Sequence, residues 1–204
     1  MRSLLTRKTG TAAVGLAAWL LLAPSSAPAH LVTTGLGPVY DGIGHLVLTP
    51  EDLVPALALA LYCGLRGARI SRHAIFVLPA CWLLGGLSGT LVDAGVWYPF
   101  SAFSFLLLGI LVASDLTLPL QVVTPVTALL GFIHGFFNGQ VLKSGPGVPG
   151  LLGIMAALFV VVTLSSALVV SVKRPWGRVV VRVMGSWVAA SGMLMVGWYL
   201  KGGV

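Results

Sequence analysis

Two short stretches carry nearly all the residues that could do chemistry. Residues 41–52, DGIGHLVLTPED, hold three carboxylates (Asp41, Glu51, Asp52) and one imidazole (His45) directly ahead of a long apolar run. Residues 131–139, GFIHGFFNG, hold His134 and Asn138, four apart and therefore on one face of a helix. Carboxylate, imidazole and carboxamide groups are ligands for a divalent cation. A plainer reading stands beside this one. Thr49-Pro50-Glu51-Asp52 is a helix start, in which Thr49 can cap free N–H groups, Pro50 suits the first helical position and two acids sit at the positive end of the dipole. Pro55 adds something a cap does not need: it has no N–H for the carbonyl of Glu51, so Glu51 offers both a carboxylate and a free carbonyl. For His134 the alternatives are a functional group inside a membrane span or a structural imidazole bonded to a backbone carbonyl.

The elements that must position these residues follow from composition. The chain has 204 residues, 57% of them apolar and 8% charged, with a mean hydropathy of +1.01. These values predict an all-α, polytopic membrane helix bundle. Arg2, Arg7 and Lys8, an apolar run over 9–23 and Ala27-Pro28-Ala29 have the layout of a secretory signal peptide covering 1–29. Cleavage there would make His30 the first residue, with its α-amine and ring both available to one ion; a histidine can also fall there by chance. Residues 30–204 then form a single transmembrane domain with about six spans, near 53–65, 74–92, 100–114, 119–137, 148–172 and 181–200. Arg66, Arg69 and Arg72 follow the first span, and Lys173, Arg174, Arg178 and Arg182 separate the fifth and sixth. The excess of basic residues puts those loops in the cytoplasm and the mature N-terminus outside, as a cleaved signal requires.

With that orientation Asp41, Glu51, Asp52 and Asp93 lie outside and Asp115 lies in a tight inner turn. The asymmetry fits an outward site for a cation, and equally fits acids left where the arginines are not. Asp93, at a helix C-terminus, calls for a compensating partner such as Lys143 or a bound cation, unless it is simply a solvated loop acid. Cys63 and Cys81 read as buried, inert thiols. Gly85 with Gly89, Gly131 with Gly135, and Gly153 with Ala157 have the four-residue spacing of close helix contacts. There is no Walker motif, HExxH or Gly-x-Ser-x-Gly, and no basic face for nucleic acid. With no serine or cysteine beside His134 on its own helix, an enzyme is the least supported class.

GHLVLTPEDLVPALALAL together with GFIHGFFNG resembles the HupE/UreJ family of membrane proteins associated with hydrogenase and urease. The resemblance implies a bacterial inner-membrane protein with six spans, and a role in nickel or cobalt uptake or in metal handling for a metalloenzyme. One departure matters: where the family usually has an acid followed by histidine, this chain has Glu51 followed by Asp52. A nitrogen ligand is replaced by oxygen, which suits manganese, magnesium or calcium better than nickel, copper or zinc. The remaining imidazoles keep a mixed site for nickel, cobalt or zinc reasonable.

The resulting expectation is a divalent-metal permease without a prosthetic group. His45 and Glu51, with Asp41, Asp52 and His30, would capture the ion; His134 and Asn138 would receive it. The competing expectation is a non-transporting membrane accessory or scaffold subunit that serves metalloenzyme accessory proteins.

Overall fold

The computed structural model describes residues 33–93 and 99–202. His30 and the expected signal peptide lie outside the described residues. Seven helices are present among those described: α1 Pro38–Leu48, α2 Pro50–Arg66, α3 Ala68–Thr90, α4 Pro99–Ser114, α5 Leu120–Leu142, α6 Gly147–Ser171 and α7 Pro175–Leu200. No strand occurs among them, as expected where lipid leaves backbone groups to be satisfied within each segment. Helices α3, α5, α6 and α7 are each long and apolar enough to cross a membrane. α1 and α2 pass the same test only as a pair, bent by 75° across Thr49, and α4, at 16 residues, is a shorter apolar helix. The chain is a multi-pass membrane protein.

Helix α1 is an addition to the sequence reading, whose first span begins near residue 53. Pro38 stands in its first turn, and Gly42 lets its backbone lie against that of α6: a Cβ there would overlap the Gly150 carbonyl. Thr49 separates the two helices in an extended conformation (φ −105°, ψ 93°), and its side chain makes no capping bond. Pro50 and the two acids do occupy the first turn of α2, so proline and helix dipole account for this helix start without a threonine cap.

Glycine contacts set the rest. α3 packs most extensively on α5, and α4 on α7. In the first pair the fit is reciprocal. A Cβ at Gly85 or Gly89 would overlap the carbonyls of Phe132 or Phe136, and one at Gly135 or Gly139 would overlap those of Trp82 or Gly86. Backbone therefore meets backbone, and the groups beside these glycines are held at short range. The core of Leu59, Leu78, Trp82, Leu108, Ile154 and Leu158 is fully buried.

At the arginine-rich end, α2, α4 and α7 are tied together through Asp115. This residue sits in the left-handed region (φ 54°), which aspartate tolerates better than most residues, in the turn after α4. It pairs with Arg66 and, at 3.0 Å, with Arg178. Arg182 Nε donates to the Ala113 carbonyl at 2.9 Å, and Tyr62 Oη donates to that of Leu116 at 2.9 Å. At the other end, Lys143 pairs with the exposed Asp93 and donates to Val92 O, so the compensating lysine of the sequence reading is present. Cys63 is buried, Cys81 half-buried, and both are free.

Candidate metal centre

Asp52, in the first turn of α2, is the hub of a buried polar cluster. Its Oδ1 lies 2.9 Å from His134 Nδ1, and its Oδ2 accepts a 2.9 Å hydrogen bond from Asn138 Nδ2. His45 Nε2, from α1, lies 4.0 Å from Oδ2. α2 and α5 share little backbone packing, so this cluster bridges two helices that otherwise barely meet. Asp52 falls on the inward face because Pro55, Ala56, Leu59 and Cys63, its neighbours at helical spacing, are all buried.

The His134 ring is held on every side. Trp82 stacks on it with centroids 5.1 Å apart and planes at 17°, and Phe100 meets it edge-on at 5.0 Å. Its Nε2 lies 3.2 Å from Ser104 Oγ, and Ser104 in turn donates to the Ser101 carbonyl at 2.8 Å. Both ring nitrogens are thus engaged. The glycine contact of Gly135 on Trp82 sets the distance at which this stacking occurs. Ser104, on α4, is the residue that sequence reasoning missed. Its only signal was a hydroxyl among the few of an apolar run, Ser101, Ser104 and Ser114, and nothing in that run says which of them will face another helix.

The other sequence-predicted residues divide. His45, Asp52, His134 and Asn138 come together, with side-chain exposures of 15% for His45, 9% for Asp52 and 4% for His134. Glu51 is half-buried and within electrostatic reach of Asp52 and His134, while the hydrogen bonds to His134 and Asn138 run through Asp52. Asp41 turns away: its Oδ1 accepts from both the N–H and the hydroxyl of Thr34, at 2.6 and 2.7 Å. Among the described residues no three His, Cys, Asp or Glu side chains are arranged as a ready-made metal-binding group. Any ion held here would take oxygen from Asn138 or from water as well.

Two spaces flank the cluster. A cleft of about 440 Å³ between α4 and α5 reaches Ser104 and is otherwise lined by apolar side chains, including Phe103, Leu107, Val126 and Leu129, so it offers a cation no ligands. Beside the His134 ring a cavity of about 10 Å³ is closed by Pro55, Leu59, Leu78, Trp82, Leu108 and Leu130. That is room for about one water.

The family model described as "HupE / UreJ protein" matches residues 18–195. The chain belongs to the HupE/UreJ family. It is 27% identical over 186 residues to Protein HupE of Rhizobium leguminosarum bv. viciae, a match covering 87% of this chain and 94% of that protein. No solved structure matches.

Proposed function

We propose that this HupE/UreJ protein is a membrane permease for a divalent transition-metal ion, nickel or cobalt in keeping with the family resemblance. The observation that carries the reading is the Asp52 carboxylate, buried in a membrane bundle and faced by two histidines and an asparagine from other helices. Ionisable groups inside a membrane are expensive, and the usual return is an ion or proton path. In this reading the bent α1–α2 pair and the short α4 each count as spans, making six after a cleaved signal. The arginine-rich end faces the cytoplasm of a bacterial inner membrane. His45 and Glu51 stand at the outer mouth, and Asp52 and Asn138, with His134 holding the carboxylate in place, receive the ion. A membrane potential of 100 mV would contribute roughly 4.6 kcal/mol to inward movement of a divalent ion. The closed layer beside His134 means that passage requires the helices to move.

A second reading, a non-transporting accessory subunit of a metalloenzyme maturation system, draws on the lack of a ready-made three-residue metal group among the described residues. Uptake of nickel and cobalt by cells expressing the intact chain separates the two. Uptake abolished by Asp52→Asn and by the Glu51→Gln/His134→Ala pair, with normal membrane insertion, is the expected result. Uptake no higher than in cells lacking the protein would sink the permease reading.

A further inference from the structure

The cluster can be sorted by which atoms remain free to bind. His134 is not among the free donors, since its Nδ1 faces Asp52 Oδ1, its Nε2 faces Ser104 and its faces are covered by Trp82 and Phe100. It is a positioning residue for the carboxylate. Asn138 is different. Its Nδ2 donates to two pure acceptors, Asp52 Oδ2 and the His134 carbonyl, both at 2.9 Å, which determines the orientation of the amide. The other atom is therefore the oxygen, and Asn138 Oδ1 is buried without a hydrogen-bond partner in a residue only 4% exposed. A buried acceptor left unpaired in a native fold points to a missing donor or cation. The nearest donor to that oxygen is the His45 imidazole, which interacts with Asn138 without closing a hydrogen bond of normal geometry and lies 4.0 Å from Asp52 Oδ2. The set with acceptor capacity left is thus the His45 imidazole, the Asp52 carboxylate, whose two oxygens each have one partner and keep a further lone pair, and the Asn138 carboxamide oxygen.

We propose that this oxygen-weighted set takes manganese(II) as well as nickel and cobalt, and that Asp52 is the specificity-determining residue. The proposal rests on the metal-capture reading above and narrows it. Any site of nitrogen and oxygen ligands binds nickel more tightly than manganese, so the order of affinities is not reversed. What changes is the spacing between them. Each imidazole favours nickel, whereas carboxylate, amide carbonyl and water suit manganese. With one nitrogen and two protein oxygens the remaining positions fall to water, and the advantage of nickel is compressed. A histidine at position 52 would restore a second nitrogen.

The test uses the full-length protein in detergent, titrated with nickel chloride or manganese chloride alone and read as the rise in Tm, since a ligand that prefers the folded state raises apparent stability. Both ions should produce saturable shifts in the unaltered protein. Asp52→His should widen the nickel-to-manganese affinity ratio by about tenfold or more, a typical size for a change at a metal site. His45→Ala, which removes the single free nitrogen, should weaken nickel more than manganese. Asn138→Ala should weaken manganese at least as much as nickel. A nickel shift with no manganese shift, or an unchanged ratio in Asp52→His, overturns the proposal. Should Asp52→His not fold, a His45→Ala variant that loses no more affinity for nickel than for manganese, or an Asn138→Ala variant that loses more for nickel than for manganese, overturns it instead. A protein indifferent to every metal would remove the metal-capture reading itself, a distinct outcome.

Discussion

The two ends of α2 each carry a partly buried acid cluster, and they are built on opposite principles. Asp115, beside Arg66 at the C-terminal end, is saturated: two guanidinium groups pair with it, and neighbouring carbonyls occupy Arg178 and Arg182. Asp52, roughly 21 Å away along the helix by its rise per residue, has no fixed cation. Its partners are imidazole and carboxamide groups, and one of these leaves an oxygen unpaired. A guanidinium is always charged and cannot leave, so the first cluster is a structural tie. In the proposed function the second would take a mobile positive charge. The two carboxylates, 9% exposed at Asp52 and 19% at Asp115, thus differ above all in the permanence of what faces them.

This contrast can be broken at either end. Asp115→Ala should be the most damaging change, since it leaves the Arg66 guanidinium, 6% exposed, without its carboxylate. The expected loss is about 3 kcal/mol, measured as unfolding of the detergent-solubilised protein without metal. A loss below about 1 kcal/mol would mean that water replaces the carboxylate and the tie is ornamental. Asp52→Asn should do the reverse, sparing metal-free stability while abolishing the metal-dependent increment, roughly 2.7 kcal/mol at a hundredfold excess over Kd. Equal damage to both quantities would erase the distinction between the clusters.

Gly135→Val tests what supports the Asp52 cluster. Its Cβ would overlap the Trp82 carbonyl, so α3 and α5 must separate. A cost of about 2 kcal/mol is expected, together with weakened metal stabilisation; full metal response in a stable variant would show that the ring stacking does not position His134. A milder probe is acid. Metal ligands must be deprotonated, so the metal-induced rise in Tm should shrink as pH falls. A metal response that is flat with pH would argue against histidine and carboxylate ligation. The smallest effect belongs to Lys143→Ala, which removes the partner of an exposed acid and should leave Tm unchanged, as exposed pairs contribute little.

Much of this molecule was legible in its residues. The apolar runs specify helices because lipid cannot satisfy backbone polar groups, and six of the seven helices among the described residues fall where hydropathy places them. The close α3–α5 contact follows from Gly85, Gly89, Gly131 and Gly135, since only residues without a Cβ permit that approach. The candidate ligands His45, Asp52, His134 and Asn138 could be named from residue type alone, because ionisable and amide groups are few in such a chain. Helix α1 was not among the expected spans: glycine is a poor helix former and Gly42 and Gly44 weaken its helical signal, yet Gly42 is what lets α1 lie on α6.

The choice between Glu51 and Asp52 belonged to the tertiary structure. Adjacent residues on a helix point about 100° apart, and α2 is apolar on nearly every side after its first turn, so its pattern does not reveal which face turns inward. Packing on α4 and α6 decided it, burying Asp52 with Pro55, Ala56 and Leu59 and leaving Glu51 half-exposed. The same packing brought Ser104 to His134 and turned Asp41 toward Thr34. Residue types determine which groups can bind a cation; the rotation of each helix about its own axis, set by contacts distant in the chain, determines which of them meet.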